Sequence, residues 1–366
     1  MSTAEEFAKI LGISFHDYSP LDKEKRPNKP KICWIRTGGT IDQIKDKDTG
    51  RLRIANKGEL NCGSLTLDKL VDYNKVDDLI KPIDSSNMTP EEWEKISKYI
   101  LENNDIYDGF VISHGTDTMH YTSSALSLLL CGINKPVIMT GSMVPLSEDG
   151  SDAPSNMANA FTVAGYSKLK GVYIVFGSKV ISGMNATKIS PDKLDAFRSI
   201  NEEYAGFIFD GEIYINKNID SNVSPKPKNQ HSSGFNRNVR LIKAFPGMGS
   251  DVLYSAVKDK VDGIVLSAFG SGGVNTEKDS VIDGVKYAIQ NKVPVFVCTQ
   301  CDDGAVKLEG CNAYDVNYKL KEAGAVGLGS LHDEDAIVKL MYVTGITKKY
   351  DQIIKMMTES LCGERI

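Results

Sequence analysis

The chain has 366 residues, 41% of them hydrophobic and 25% charged, with a net charge of -5. That is a globular composition with enough apolar material for one large domain or two of moderate size. Charges of both signs are interspersed and no basic block matches a phosphate backbone, so nucleic acid is not an expected partner.

The chain opens with "MSTAEEFAKILGISF", which lacks the basic start and apolar core of a signal peptide. No window approaches eighteen consecutive apolar residues, so no membrane span is expected. A cytoplasmic location is the resulting expectation. The seven cysteines are Cys33, Cys62, Cys131, Cys298, Cys301, Cys311 and Cys362. Their odd number and irregular spacing read as buried thiols rather than a disulfide framework.

Residues 1–30 comprise an amphipathic helix candidate, Ala4 to Leu11, and a Pro/Lys-rich connector. From Lys31 apolar strand-like runs alternate with helical patterns. The strand runs are "ICWIR", "GFVIS", "PVIMTG", "GVYIVFG", "GIVLSAFG", "VPVFVCTQ" and "AGAVGLGS". Helical patterns include "TPEEWEKISKYILENN", with Thr89 as N-cap and Pro90 at the first helical position, "MHYTSSALSLLLCG", "SNMANAFTVAGYSK", "SDVLYSAVKDK" and "EDAIVKLMYVTG". Near-continuous apolar strands between helices predict an α/β fold with a buried, mostly parallel sheet. The alternation lapses over 201–238, a polar connector with a short strand pair expected around Phe207 to Ile215. The expected organisation is an N-terminal extension (1–30), a larger N-terminal α/β domain (31–200), the connector (201–238) and a smaller C-terminal α/β domain (239–366).

Ligands of open parallel sheets sit beyond the carboxyl ends of the strands. Two such ends carry T-G-G-T-I-D, Thr37 to Asp42, and H-G-T-D-T-M, His114 to Met119. Thr140-Gly141-Ser142-Met143 ends a third, and Asp84-Ser85-Ser86-Asn87 precedes a helix. Hydroxyls, a carboxylate and backbone N–H groups in one crevice suit a small zwitterionic or amide ligand. A lone T-G-G-T is ordinarily a turn, and Lys188 in isolation is a solvated lysine. A lysine can nevertheless activate a threonine when placed against it. Serine-elbow, phosphate-loop and zinc-protease patterns are absent. Cys298-x-x-Cys301 is not followed by a helix start, which argues against redox use. Neither a metal nor a cofactor is expected.

Taken together these stretches resemble the L-asparaginase family from about Lys31 to the end. T-G-G-T-I and H-G-T-D-T-M carry the resemblance. "DSSNMTPEEW", "TGSMVPL", "TQC" and the "LCGERI" tail are similar to the cytoplasmic type I branch. One component of the archaeal glutamyl-tRNA amidotransferase shares that fold but has an additional N-terminal domain, for which 30 residues are too few. The resemblance implies hydrolysis of L-asparagine to L-aspartate and ammonia. It implies Thr40 as nucleophile and Thr116, Asp117 and Lys188 as the second catalytic group. It also implies Ser85 at the α-carboxylate, Ser86 and Ser142 lining the pocket, and Gly39 in the oxyanion hole. A homodimer or homotetramer follows from the same resemblance, and Cys301 is a candidate allosteric residue. Glutaminase activity, an ammonia-supplying amidotransferase component and a catalytically weak asparagine sensor are the alternatives. One departure stands out: family members carry a tyrosine in the loop after the first motif, and residues 41–72 contain none. Arg51 and Arg53 are candidates to reach the site in its place, within a loop expected to act as a mobile lid.

Overall fold

A computed structural model of the chain describes residues 3–23, 28–46, 48–56, 59, 66–219, 234–311 and 313–364. It divides into two compact units, 1–225 and 226–366. Cys62 and the connector's residues 220–233 lie outside the described residues.

The strands of the first unit are β1 (Tyr18–Pro20), β2 (Lys31–Arg36), β3 (Gln43–Lys45), β4 (Leu52–Ile54), β5 (Asp72–Val76), β6 (Gly109–Ser113) and β7 (Pro136–Thr140). They continue with β8 (Gly171–Phe176), β9 (Lys179–Ser182), β10 (Ala186–Lys188), β11 (Phe197–Ser199), β12 (Gly206–Phe209) and β13 (Glu212–Asn216). Its helices are α1 (Ala4–Ile10), α2 (Pro90–Glu102), α3 (Met119–Leu129) and α4 (Ala153–Tyr166). Among the described residues, nine strands form one sheet in the order β1-β13-β12-β9-β8-β7-β6-β2-β5. Strands β5, β2, β6, β7 and β8 are parallel; β3 and β4 lie between β2 and β5 in the chain, and α2, α3 and α4 join β5, β6, β7 and β8 in turn. Beyond β8 the pairings turn antiparallel, because short hairpin links replace helical crossovers.

The parallel strands are buried on both faces. One side packs Trp34, Val111, Ile138 and Val175 against Phe161 and Met157 of α4. The other packs Ile35, Phe110, Ile112 and Met139 against Ile96, Ile100 and Leu126 of α2 and α3. This is why these runs read as continuous hydrophobic stretches without alternation. Helix α2 starts as its sequence predicts: Thr89 and Glu92 form a capping box, with Glu92 accepting from the Thr89 backbone N–H at 3.0 Å.

Two stretches read as peripheral are part of this sheet. Strands β12 and β13, inside the expected connector, carry it outward, and β1 of the expected extension pairs with β13. Phe7, Phe15 and Tyr18 pack on Phe207 and Tyr214, an apolar cluster that would otherwise leave the sheet face open. The strand pair expected around Phe207 to Ile215 is thus β12 and β13, and what the connector's polar, Pro-bearing composition concealed is that the pair extends the main sheet.

The second unit has a parallel sheet β14-β15-β16-β17, formed by β14 (Arg240–Lys243), β15 (Ile264–Ala268), β16 (Val295–Thr299) and β17 (Val326–Gly327). Helices α5 (Asp251–Lys258), α6 (Val281–Gln290), α7 (Asp315–Glu322), α8 (Asp333–Ile346) and α9 (Tyr350–Thr358) accompany it. The run "AGAVGLGS" contributes only Val326–Gly327 as strand. Helix α6 was not expected from sequence. It contains Gly284, whose Cβ would lie 2.9 Å from Leu253 and 3.0 Å from Ser250 O, so glycine there permits close α5–α6 packing at the expense of helix propensity. The tail segment "LCGE" is held by a wholly buried pair, Lys339 Nζ to Glu364 Oε1 at 2.7 Å. Among the described residues no helix is long and apolar enough to cross a membrane.

Candidate active site

Register assembles the site. Arg36, Ser113 and Thr140, the last residues of β2, β6 and β7, pair side by side, so the turns that follow emerge at one edge. Backbone bonds continue past the strands: Thr37 N–H donates to Ser113 O at 3.0 Å and His114 N–H to Thr140 O at 2.8 Å. The segment before α2 joins them, with Ile83 N–H donating to Thr37 O at 2.9 Å and Gly39 N–H to Ile83 O at 3.0 Å.

The glycines make the approach possible. Gly38 and Gly39 have φ of 105° and 83°. A Cβ on Gly39 would lie 2.1 Å from Gly115 Cα, and one on Gly115 would lie 2.6 Å from Ser85 Oγ. The Gly39 turn, the Gly115 turn and Ser85 are therefore in direct contact. A Cβ on Gly141 would meet His114 O at 2.3 Å, which brings in the turn that carries Ser142.

Within this junction most hydroxyls have structural partners. Thr37 donates to Ser113 O at 2.9 Å, Thr140 to Val175 O at 2.7 Å and Thr118 to Ser85 O at 2.8 Å. Thr40 is half-buried at the start of a short 3-10 turn, Thr40–Asp42, whose Ile41 and Asp42 are buried. Thr116 is buried and Asp117 exposed. Lys188 reaches them from β10, far along the chain. Its Nζ donates to Thr116 Oγ1 at 2.8 Å and contacts Asp117 Oδ1 at 2.6 Å, with its side chain 13% exposed. The β10–β11 hairpin that carries it is pinned by buried Lys179, which binds Asp195 at 2.7 Å and Phe197 O at 3.0 Å. Ser85 is buried in the turn Ser85–Asn87 and Ser86 is exposed, its N–H donating to Asp84 at 2.9 Å. Ser142 is fully buried and its hydroxyl has no hydrogen-bond partner among the described residues.

The histidine of H-G-T-D-T-M plays another part. His114 donates from Nδ1 to Gly115 O at 2.7 Å, and its Nε2 accepts from Thr122 at 3.0 Å. Full burial pushes its pKa down to about 4, so it is a neutral strut at neutral pH. Sequence reasoning also missed the bracket behind Ser142. Asp152 accepts from the N–H groups of Met143 and Val144, both at 3.0 Å, and Asn156 donates to Gly141 O at 3.0 Å.

The loop after the first motif is the hairpin β3–β4. Arg53 does not turn to Thr40: it binds Asp46 at 3.1 Å and Glu59 at 2.7 Å. Arg51 is exposed. Asp46 collects the Thr49 N–H and hydroxyl at 2.9 Å, bonds that hold its carboxyl down at about 2.

In the second unit Cys301 is exposed, as is Cys311, and Cys362 is half-buried, so among the described cysteines the expectation of buried thiols holds for Cys33, Cys131 and Cys298. Cys301 lies past the end of β16, where its N–H donates to Thr299 Oγ1 at 3.0 Å and the turn faces outward.

Similarity to known proteins accords with this arrangement. Residues 31–221 match the family model described as Asparaginase, N-terminal, and residues 238–357 the Glutaminase/Asparaginase C-terminal domain. An L-asparaginase of Thermococcus kodakarensis is 33% identical over 335 residues, covering 91% of this chain and 98% of that protein. The solved structure of the thermostable L-asparaginase from Thermococcus kodakarensis superposes with a TM-score of 0.76 at 30% identity, covering 92% of this chain and 99% of that one. L-asparaginase 1 of Escherichia coli K12 is 34% identical over 289 residues, 77% of this chain and 82% of that protein. A component of the glutamyl-tRNA(Gln) amidotransferase of Methanosphaera stadtmanae is 30% identical over 360 residues, 95% of this chain and 80% of that protein. The two units thus define an amide hydrolase. The chain belongs to the asparaginase family.

Proposed function

We propose that the protein hydrolyses the side-chain amide of L-asparagine through an acyl-enzyme on Thr40. The observation that carries this reading is the Lys188–Thr116–Asp117 cluster packed, through the Gly39–Gly115 contact, against the turn that presents Thr40. Thr40 Oγ attacks the amide carbon, and the carbonyl oxygen becomes an oxyanion facing backbone N–H groups of the Gly39–Thr40 and Thr116 turns. Collapse breaks the C–N bond, and the nitrogen leaves as ammonia with the proton released by Thr40. Water then cleaves the ester. Thr116, held by Lys188, orients that water, and Asp117 pairs with the substrate ammonium. Ser85 and Ser86 meet the α-carboxylate, and Ser142 lies against the amide end. Two copies or four of this chain are the proposed assembly, and Cys301 is proposed as a regulatory contact because it is exposed.

The test is ammonia release from L-asparagine and L-glutamine by the wild type and Thr40→Ala in parallel. Release from asparagine that falls by at least about a thousandfold in the variant is expected. A Thr40→Ala enzyme as active as wild type would refute the nucleophile. The similarity to an amidotransferase component favours a second reading, in which the chain supplies ammonia to a partner; glutamine preferred over asparagine, with a copurifying partner chain, would establish it. One methylene separates the two amides, worth only about 1–3 kcal/mol of discrimination.

A further inference from the structure

The buried charges closest in sequence to Thr40 lie at the root of the β3–β4 hairpin. Arg36 ends β2, and Asp42 ends the turn that begins at Thr40; both side chains are 1% exposed. Arg36 Nε lies 2.8 Å from Asp42 Oδ2 but off the line of a hydrogen bond, and neither oxygen of Asp42 has a hydrogen-bond partner among the described residues. Arg36 Nη2 donates to Ala55 O at 3.2 Å, and Ala55 N–H donates to Asp42 O at 2.8 Å. The end of β2, the start of the hairpin and its finish are thereby closed on one another. Asp77, 3.8 Å from Arg36 Nη1, and Lys75, 3.4 Å from Asp77, are the other charged groups facing the pair. A cavity of about 440 Å³ bordered by Arg36, Ala55, Asp77, Asp78 and Lys81 adjoins it.

As a device for stability this pair is poor. Buried ions lose hydration, and apolar residues of similar size serve a core as well or better. A buried pair with unsatisfied oxygens, two residues from the proposed nucleophile, is explained by what it holds in place. We infer that Arg36 and Asp42 form a positioning clamp: the pair keeps the Thr40 turn and the hairpin root in the reactive arrangement. The inference rests on Thr40 being the nucleophile. Burial raises the Asp42 pKa to about 6, against the pull of Arg36, so the carboxyl is ionised and the clamp charged at neutral pH.

The test combines kinetics with hydrogen exchange on wild type, Asp42→Asn and Arg36→Leu/Asp42→Leu. Asp42→Asn is expected to lower kcat by about 10- to 100-fold with KM within about threefold. The double leucine variant removes both buried charges and is expected to fold, yet to have the same low kcat. Exchange in the segment 43–56, corrected for intrinsic rate, is expected to be faster in Asp42→Asn than in wild type at pH 7.5. Wild-type kcat in either variant would overturn the clamp. If the wild type releases no ammonia, or if Thr40→Ala remains active, the functional reading falls instead. The exchange result then decides the clamp alone, and protection in Asp42→Asn equal to that in wild type overturns it.

Discussion

Replacing Gly39 by alanine tests whether close contact of two turns builds the site. The added Cβ would stand 2.1 Å from Gly115 Cα and 2.3 Å from Gly115 N. Ordinary contact begins near 3.4 Å, so one turn must retreat by about 1 Å. No rotamer relieves the clash, because its partner is backbone. A φ of 83° with a ψ of -173° lies in a region essentially confined to glycine and adds strain of about 1–3 kcal/mol for a residue with a Cβ. A displacement of about 1 Å between Thr40 and the Thr116 cluster is expected to cost about 100-fold in kcat. Gly50→Ala is the uncrowded control, since Gly50 also has a positive φ, 66°, and nothing within 4 Å of the added atom. It carries a positive-φ penalty without the crowding and is expected to lose about 1 kcal/mol of stability with kcat unchanged. Steady-state ammonia release and thermal unfolding on both variants separate the two effects. Gly39→Ala with wild-type kcat, or with a loss no larger than that of Gly50→Ala, would refute the reasoning.

Lys188→Met removes the hydrogen bond to Thr116 and the contact with Asp117 while keeping much of the side chain's length. Because Asp117 is exposed, the expected stability loss is under about 1 kcal/mol, whereas kcat is expected to fall at least about 100-fold; single-turnover kinetics would show whether acylation or ester cleavage is slowed. Two buried groups pull acid stability in opposite directions. His114, lowered to about 4, contributes stability that is present above its usual value near 6.5 and is lost as the pH falls through about 4. Asp42, raised to about 6, contributes stability that is present below its usual value near 3.8 and is lost as the pH rises through about 6. Each is worth about 3 kcal/mol, so they nearly cancel between pH 7 and 4 in the wild type. Asp42→Asn removes one of them, and denaturant unfolding is expected to show about 3 kcal/mol more acid destabilisation over that range. An unchanged slope would contradict the assignment.

Local chemistry made much of the protein legible from its residues. Apolar runs buried on both faces announced β2, β6, β7, β8, β15 and β16. Thr89, Pro90 and Glu92 announced the start of α2, because a cap is satisfied within four residues. The two threonine stretches lay after strands as expected, since only a turn accepts consecutive glycines at positive φ. Sequence also exposed the missing loop tyrosine but not what stands near it.

Tertiary structure decided the rest. Which threonine of T-G-G-T is spent on structure depends on Ser113 O, 76 residues from Thr37. Lys188 is an ordinary lysine until the β10–β11 hairpin carries it to Thr116, 72 residues away. His114 looks reactive beside Thr116 and Asp117, yet burial and Thr122 make it a strut. Exposure of Cys301 and commitment of Arg53 to Asp46 and Glu59 are likewise properties of neighbours. Arg36 and Asp42 differ by six residues along the chain, and no helical or strand period pairs them. Their contact exists because the glycine turn folds the chain back on the end of β2, where both side chains are buried. Patterning along the chain thus determined the strands and where their ends would fall. The depth of burial and the meeting of distant side chains came only from the register of the sheet.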